Sequence, residues 1–421
     1  MHNYRGFHKA LLPLHPCTFL VGENSTGKSS FLRALQLVFN PGFWFMPEFN
    51  RDEDGETGTF SDLVSATAED KSFFELGLVD VRRQKDGSYK LNVLVHQFRD
   101  REGIPFLATH FKIEPNYQLL IKTEDKIQRY SLEPAAASFV SESDAVNFAS
   151  LQISRFGTET ELTALPESIA KNFPLPVLVA ALKNIQSGKK ANLIDFAISL
   201  PVSRKLTWIA PIRMRPKRIY PGSPRNYSAE GEHSPYLLRA SLKSKAFVEK
   251  INEFGRVSGL FETIETQTYG EGARNPFEIL IKLPGADLTI DNVGYGVSQV
   301  LPLLIEFLAQ SKGSFFAVQQ PEVHLHPRAQ AALGGLLAHL AKELKHSFII
   351  ESHSDYMIDR FRLELSKVKN PPIAQVLFFQ RTGKGNHVTL LPIAPSGRYP
   401  KDQPKAFRDF FINEEMQLLS L

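Results

Sequence analysis

The sequence predicts an α/β fold with a mixed β-sheet core, an antiparallel β subdomain and helical insertions. A short apolar strand at 17–21 leads through a glycine-bearing loop into an amphipathic helix at 28–39. The C-terminal third alternates helix and strand, which implies parallel strands joined by crossover helices. Between 73 and 121 the apolar residues instead recur with a period of two, as they do in antiparallel strands.

The order of these patterns divides the chain into three parts. Residues 1–135 combine the glycine loop with the antiparallel strands, 136–270 form a mainly helical insertion with one core strand near 206–212, and 271–421 complete the α/β core. The expected strands of the first part lie at 74–78, 89–95 and 106–113, with a hairpin turn at 85–88. The later elements are expected as strands at 277–283, 315–318, 348–350 and 375–379 and helices at 236–255, 297–310, 328–345 and 356–368.

The composition is that of an ordinary globular protein. Apolar residues make up 43% of the 421 residues, and 49 Lys and Arg against 45 Asp and Glu leave a formal charge of only +4, too weak to argue for nucleic acid by itself. Cys17 is the only cysteine, so no intramolecular disulfide is possible, and this fits a reducing compartment. No apolar run reaches the about 20 residues of a membrane span, and no signal peptide is visible. We therefore expect a cytoplasmic protein without membrane contact.

The loop after the first apolar strand fits a phosphate-binding P-loop. Gly22-Glu23-Asn24-Ser25-Thr26-Gly27-Lys28-Ser29 has two glycines separated by four residues, then Lys and Ser. The glycines permit a tight loop whose N–H groups converge on phosphate oxygens, and the following helix directs its positive end at the same anion. Lys28 would reach the terminal phosphates, and the Ser29 hydroxyl would bind Mg²⁺. The strand–loop–helix context makes a chance glycine loop a poor alternative.

Polar residues follow two later strands. The strand at 315–318 runs into Gln319, Gln320, Pro321 and Glu322, and the strand at 348–350 runs into Glu351, Ser352 and His353. P-loop enzymes place a Mg²⁺-binding acid and a water-activating residue at such strand ends. Glu322 is the nearest carboxylate after the first of these strands, and His353 would lie beside the γ-phosphate.

A third segment is a glycine-bearing turn at 291–299 that enters a helix. It contains Gly294, Gly296 and Ser298, whose N–H groups could face a phosphate held by another subunit. Alone, this pattern is a weak indication. Pro302 lies a few residues into the helix and is expected to kink it or delay its start.

These segments, in this order, resemble the ABC-type ATPases of the chromosome-maintenance, DNA-repair and OLD-like group, closest to its stand-alone members described as AAA-type ATP-binding proteins. The recognisable motifs cover the first 40 residues, about 206–220 and 285–360. The resemblance implies a P-loop NTPase fold of ABC type that binds ATP and Mg²⁺ and works as a head-to-tail homodimer or higher even oligomer. It implies nucleotide contacts by Asn24, Ser25, Thr26, Gly27, Lys28, Ser29 and Ser30, and from the signature turn of a second copy by Gly294, Gly296 and Ser298.

The sequence departs from that group where the chemistry takes place. The usual Leu-Ser-Gly-Gly-Gln signature is missing, and the two acids of the Walker B motif are replaced by Gln319 and Gln320. Gln319 could bind Mg²⁺ through its amide oxygen, more weakly than a carboxylate, and Gln320 can orient water but cannot act as a base. Catalysis would then depend on Glu322 together with His353.

The leading hypothesis is an ATPase switch that controls a separate protein effector, in DNA repair or anti-phage defence; related ATPases often act with nuclease partners. The alternative is a catalytically slow ATP-sensing scaffold, which the paired glutamines favour. Nuclease activity in the chain itself is not expected, because the short segment after His353 contains no Asp-x-Asp. A transporter ATPase is disfavoured by the large insertions, and a GTPase by the lack of Asn-Lys-x-Asp.

Three other features have an ordinary and a sharper interpretation. The basic run of Arg204, Lys205, Arg213, Arg215, Lys217 and Arg218 is by default a solvated face, with nucleic-acid backbone contact as the alternative. His324 and His326 could form a metal pair, but no Cys or acidic cluster accompanies them. The apolar segment 43–46 could be a packing or partner-docking element.

Overall fold

The computed structural model describes residues 1–45, 47, 49, 58–124, 127–135, 138–154, 161–164, 204–223, 225–270, 272 and 275–418, with side chains as far as Phe411. The chain forms two compact units. The antiparallel unit consists of Met1–Leu12, Ser30–Lys205 and Arg381–Asn386. The core unit consists of Pro13–Ser29, Leu206–Gln380 and His387–Leu421. No helix in the described part of the chain is long and apolar enough to cross a membrane.

The strands, in chain order, are β1 His2–Tyr4, β2 Phe7–Lys9, β3 Cys17–Gly22, β4 Phe73–Arg83, β5 Tyr89–Arg101, β6 Ile104–Glu114, β7 Tyr117–Glu124, β8 Ile127–Pro134, β9 Thr163–Ala164, β10 Leu206–Ile209, β11 Thr263–Thr268, β12 Phe277–Leu283, β13 Ala286–Thr289, β14 Phe315–Gln319, β15 Ser347–Glu351, β16 Ala374–Thr382 and β17 Gly385–Ile393. The helices are α1 Lys28–Val38, α2 Pro41–Phe45, α3 Phe60–Leu63, α4 Glu142–Ser154, α5 Ser234–Ser241, α6 Lys245–Ser258, α7 Tyr295–Ala309, α8 Pro327–Glu343, α9 Asp355–Ser366 and α10 Lys405–Leu418.

The antiparallel unit is built on one eight-stranded sheet in the order β2-β1-β4-β5-β6-β7-β8-β9. Every pairing in it is antiparallel, as the period-two pattern predicts. Apolar side chains of β5, β6 and β7 pack with Ala145 and Ala149 of α4 in one cluster. Phe43 and Trp44 are buried, and Trp44 Nε1 donates to the Val38 carbonyl at 2.8 Å, so these two residues of the apolar segment predicted at 43–46 pack within their own unit, whereas Met46 lies outside the described residues.

A buried histidine pair joins two strands of this sheet. His96 on β5 and His110 on β6 are register partners, and His96 Nε2 lies 2.8 Å from His110 Nδ1. Burial lowers the pKa of His96 to about 3. Burial also lowers the pKa of His110 well below its usual value, and His96 and Lys112 lower it further. Both rings are therefore neutral at pH 7, and one N–H can be shared between them.

The histidine pair makes the antiparallel unit sensitive to acid. Because each folded pKa lies below the unfolded value of about 6.5, the unfolded chain takes up the protons first and stability is lost as pH falls below that value. From pH 7.5 to 5.0 we expect His96 to remove about 2 kcal/mol of unfolding free energy, and His110 acts in the same direction. Urea unfolding at the two pH values, followed by Trp44 fluorescence in a Trp208→Phe background, measures this loss of unfolding free energy. His96→Gln should reduce the pH dependence, and the exposed control His339→Gln should leave it unchanged; equal stability at both pH values in the parent would contradict the account.

The core unit contains a six-stranded sheet in the order β10-β14-β15-β3-β16-β17. The pairs β10–β14, β14–β15, β15–β3 and β3–β16 are parallel, and the two-residue connection from β16 to β17 makes the last pair antiparallel. A three-stranded antiparallel sheet, β11-β12-β13, completes the unit. The large core of the unit is lined by side chains from both sheets and from α5 to α9. The predicted fold class is confirmed.

The parallel pairing brings the carboxyl ends of β14, β15 and β3 to one edge of the sheet. Val318 pairs with Ile350, Gln319 with Glu351, and Glu351 with Leu20. Ligand sites in open α/β sheets lie beyond this edge. The polar residues that follow each of these strands are therefore neighbours, although up to 330 positions separate them in sequence.

The element predictions are confirmed in outline and corrected in four places. The strand expected at 206–212 ends at Ile209, since Pro211 cannot donate to a sheet. The single helix expected at 236–255 is two helices, α5 and α6, because the Ser244 side chain caps α6 by accepting from Phe247 N at 3.4 Å. Helix α7 begins at Tyr295, so Pro302 does not delay its start. Strands β7 and β8 extend the antiparallel sheet beyond the expected end near 121. In the helical insertion, α4 is present, whereas 155–160 and 165–203 lie outside the described residues.

Candidate functional site

The P-loop connects β3 to α1. Gly22 has a φ of 144°, and a Cβ there would lie 2.1 Å from the Phe379 carbonyl oxygen, so no other residue fits. Gly27 has a φ of 101°, and Ser25 adopts a positive φ of 61°. Asn24 and Ser25 are exposed, whereas Thr26 is buried and its hydroxyl donates to the Glu23 carbonyl at 2.8 Å. The loop thus has the tight backbone that the phosphate-binding prediction requires.

The Lys28 side chain is bonded to the backbone of this loop. Its Nζ donates to the Gly22 carbonyl at 2.7 Å and to the Glu23 carbonyl at 2.6 Å, and the side chain is almost wholly buried. Burial lowers the pKa of Lys28, while the Glu351 and Glu23 carboxylates raise it. A buried ammonium bound only to neutral carbonyls is poised to exchange them for the stronger negative charge of phosphate. Ser30, the third residue of α1, is half-buried.

Glu351, a residue that our sequence analysis did not assign to the site, lies next to Ser29. It ends β15 and is 4% exposed. The Ser29 hydroxyl donates to both carboxylate oxygens of Glu351 at 3.3 Å, and Gln319 Nε2 donates to its Oε2 at 3.0 Å. Ser29 and Gln319, which the sequence predicts as metal ligands, therefore meet at one carboxylate. The signal that could have found Glu351 is its place at a strand end, directly after the apolar run 348–350.

Glu322 lies in the turn after β14 and contacts the segment after β15. Its Oε1 accepts from the backbone N–H of His353 at 2.7 Å. Its Oε2 is buried and has no hydrogen-bond partner among the described residues. Burial raises the pKa of Glu322, while the backbone N–H groups of His353 and of Glu322 itself, the nearby Ser352 hydroxyl and the charge of Arg213 lower it. A carboxylate with a raised pKa and one free oxygen is chemically suited to accept a proton.

His353 and Gln320 complete this edge of the sheet. Burial lowers the pKa of His353, and Lys28 lowers it further, so the ring is neutral at pH 7 and keeps one N–H for donation. The His353 ring packs against Phe410 at a centroid distance of 6.3 Å. Gln320 has a positive φ of 43°, and its backbone N–H donates to the Glu351 carbonyl at 2.8 Å. The segments after β14 and β15 are thus bonded to each other at two points.

The signature turn caps the N-terminus of α7. Gly294 has an ordinary φ of −59°, and a Cβ there would meet no atom within 4 Å, so this position is open. Tyr295 beside it is 53% exposed. Gly296 is needed for close packing, since a Cβ would lie 2.9 Å from the His324 carbonyl oxygen. Ser298 is buried and its hydroxyl donates to the Tyr295 carbonyl at 3.1 Å. Of the three predicted contacts, Gly294 is the one placed at the surface.

The place of Arg213 in the basic run suggested that it lies on a solvated face, but the structure buries it. It is 3% exposed; its Nη1 donates to the Gln299 carbonyl at 3.2 Å, and its Nη2 to the carbonyls of Gln319 at 3.3 Å and Gln320 at 3.5 Å. Burial lowers the pKa of Arg213 to about 10, and Glu322 opposes this, so the guanidinium is charged at pH 7. Arg213 therefore connects α7 to the segment that carries Glu322.

The other residues of the basic run and the histidine pair at 324 and 326 behave as ordinary surface groups. Arg215, Lys217 and Arg218 are exposed. His324 and His326 are also exposed, and the His326 side chain caps α8 by accepting from Ala329 N at 3.3 Å. Among the residues that the structure describes, no group of three or more His, Cys, Asp or Glu side chains could hold a metal ion.

Several solved structures of SMC head domains align with nearly the whole chain. One is a Smc head bound to the C-terminal winged-helix domain of ScpA, with 12% identity, a TM-score of 0.46 and coverage of 93% of this chain and 95% of the other. Another is the Smc head of Pyrococcus furiosus with an extended coiled coil, bound to the C-terminal domain of ScpA (12% identity, TM-score 0.41, coverage 99% and 97%). A third is the SMC head domain of Thermotoga maritima (13% identity, TM-score 0.35, coverage 93% and 97%). At these TM-scores the likeness carries no conclusion about this chain.

Most of the chain matches one family model. No curated protein matches the sequence. The family model described as AAA ATPase domain matches residues 1–176 and 231–358, well over half of the chain. The match includes the P-loop, the signature turn, the turn with Glu322 and the strand that leads to His353. The chain belongs to the AAA ATPase domain family.

Proposed function

We propose that this protein is an ATP-hydrolysing switch that forms a head-to-tail dimer around two ATP molecules and thereby regulates a separate effector protein. The observation that carries the proposal is the placement of four side chains at one edge of the core sheet. Lys28 and Ser29 belong to the P-loop after β3, Glu322 lies after β14, and His353 lies after β15. Such an arrangement supports binding of a triphosphate and activation of water beside it.

The proposed chemistry follows from the contacts of each group. Lys28 exchanges the carbonyls of Gly22 and Glu23 for the terminal phosphates. The free Oε2 of Glu322 accepts the proton of the attacking water, and neutral His353 donates its N–H to the γ-phosphate. The hydroxyl of Ser29 and the amide of Gln319 are hard oxygen donors that suit Mg²⁺. The metal, when bound with ATP, neutralises the phosphate charge.

The exposed start of α7 supports the dimer. The first N–H groups of a helix have no partner within it, and the positive end of the helix dipole attracts anions. Because Gly294 is open and Tyr295 exposed, a second copy could present its bound ATP to this turn. Within this proposal the OLD-like affiliation, a nuclease effector and a role in DNA repair or anti-phage defence rest on the resemblance that the motifs carry. The cytoplasmic setting is also part of the proposal, and the single cysteine, Cys17, fits it. Exposed Arg215, Lys217 and Arg218 are the candidate contacts to nucleic acid.

A charge at Gly294 tests the dimer without disturbing the fold. Its φ of −59° and free surroundings accept any side chain, and a Glu at a helix N-terminus favours the helix. The oligomeric state is measured by light scattering with ATP, in proteins that also carry Glu322→Gln, a change that we expect to slow hydrolysis. Under these conditions Gly294→Glu should remain monomeric, because its carboxylate repels the phosphates. Gly294→Ser is the matched control and should still dimerise. Dimers of Gly294→Glu as stable as those of the control would contradict the head-to-tail arrangement.

The slow-scaffold alternative is favoured by a different observation. Gln319 ends β14 and Gln320 follows it, where the group has its two acids, and one oxygen of Glu322 is already bonded to His353 N. A chain of that kind would form ATP-dependent dimers with negligible turnover. The two functions therefore agree on dimerisation and differ in hydrolysis.

A further inference from the structure

Glu351 is a buried carboxylate without a cationic partner. It is 4% exposed, and within the described part of the chain no Lys or Arg lies at ion-pair distance from it. Lys28 influences it electrostatically but is bonded to backbone carbonyls instead. A buried charge of this kind costs free energy unless it is paired or binds a metal.

The contacts of Glu351 indicate that its carboxylate lies where the Mg²⁺ of a P-loop site would bind. Ser29, the P-loop hydroxyl that binds Mg²⁺ in such loops, lies 3.3 Å from both carboxylate oxygens. Gln319 Nε2 donates to Oε2 at 3.0 Å and so fixes the orientation of the carboxylate. Since Gln319 and Glu351 are register partners on β14 and β15, the carboxylate stands one strand away from the position where a Walker B acid would be.

We infer that Glu351 supplies the negatively charged protein ligand of the Mg²⁺ that accompanies ATP. The acid absent from the end of β14 is thereby provided from the end of β15, with Ser29 as its neighbour and Gln319 as the residue that positions it. Carboxylate and hydroxyl oxygens are the ligands that Mg²⁺ prefers. This inference rests on the proposed function, because it concerns the same ATP site.

The test is the effect of Mg²⁺ on ATP binding. The affinity for a fluorescent, non-hydrolysable ATP analogue is measured with excess Mg²⁺ and with EDTA, for the parent and for Glu351→Gln. The parent should bind more tightly with Mg²⁺, and Glu351→Gln should lose at least about 10-fold of that enhancement while binding in EDTA as well as the parent. The exposed control Glu249→Gln should retain the full enhancement. Electron paramagnetic resonance of Mn²⁺ with the same analogue provides a direct readout of the metal.

An exchange of the two side chains sharpens the result. The double variant Gln319→Glu/Glu351→Gln moves the carboxylate to the register partner and should recover most of the Mg²⁺ enhancement. If folded Glu351→Gln binds the ATP analogue and shows the full Mg²⁺ enhancement of affinity, the inference about Glu351 is wrong, but the proposed function still stands. A parent that binds no nucleotide under either condition would instead overturn the proposed function.

Discussion

Replacing Glu322 by glutamine is expected to lower the turnover number by about 100-fold or more while leaving ATP binding intact, because a general base contributes 10²- to 10⁴-fold and glutamine cannot accept a proton. The amide oxygen of the variant can still accept from His353 N, so the local structure should persist. Steady-state phosphate release and nucleotide affinity measure the two effects separately. Glu249→Gln, an exposed change of the same kind, should turn over like the parent. Unchanged turnover in Glu322→Gln would remove this residue from the chemistry.

The pH dependence of turnover gives a second readout of Glu322. Burial raises the pKa of its carboxyl, and only the ionised form can act as a base. Turnover should therefore fall as pH decreases through this raised pKa, at a higher pH than an exposed glutamate would give. Burial and the charge of Lys28 lower the pKa of His353, so its ring is protonated only at a more acidic pH than that of an exposed histidine. A rate that stays constant down to pH 4.5 would contradict the assignment.

Arg213→Met is expected to cost about 3–5 kcal/mol of unfolding free energy. The change leaves the carbonyls of Gln299, Gln319 and Gln320 without their donor and the buried carboxylate of Glu322 without its nearby positive charge. Urea unfolding followed by Trp208 fluorescence in a Trp44→Phe background measures the effect in the core unit.

Two further variants isolate the cause of that loss. The exposed change Arg215→Met in the same loop should alter stability by no more than about 0.5 kcal/mol. Adding Glu322→Gln to Arg213→Met should recover part of the loss, because the unpaired buried charge is gone. If Arg213→Met is as stable as Arg215→Met, then Arg213 does not hold these segments together.

The sequence predicts the local parts of this protein well. The P-loop, its strand and its helix follow from residues that are adjacent in the chain, and so do β14, β15 and the period-two strands. What local patterns miss depends on pairing between distant segments. Glu351 reaches Ser29 and Gln319 only through the register of β15 with its neighbours, and its place at a strand end does not by itself show which residues it contacts.

For Arg213 the sequence pattern predicts an exposed position, and the structure shows a buried one. A run of basic residues is usually solvated, and Arg215, Lys217 and Arg218 follow that expectation. Arg213 is buried because α7 and the end of β14 bring carbonyls to it from about 90 to 110 positions away, which composition cannot reveal. The assignment of Gly294, Gly296 and Ser298 to a second copy's nucleotide stays a prediction, and the structure makes Gly294 the position at which to test it.

The proposed active site is shared between two copies, and mixing two inactive variants tests this sharing most directly. Lys28→Ala keeps the signature turn and loses the P-loop lysine, and Gly294→Glu does the reverse, so each alone should have negligible Mg²⁺-dependent ATP turnover. In a head-to-tail dimer of the two, one of the two sites is intact, so an equal mixture should recover about a quarter of the parent rate. No recovery, with both variants folded, Gly294→Glu still binding ATP and the parent active, would contradict the shared site.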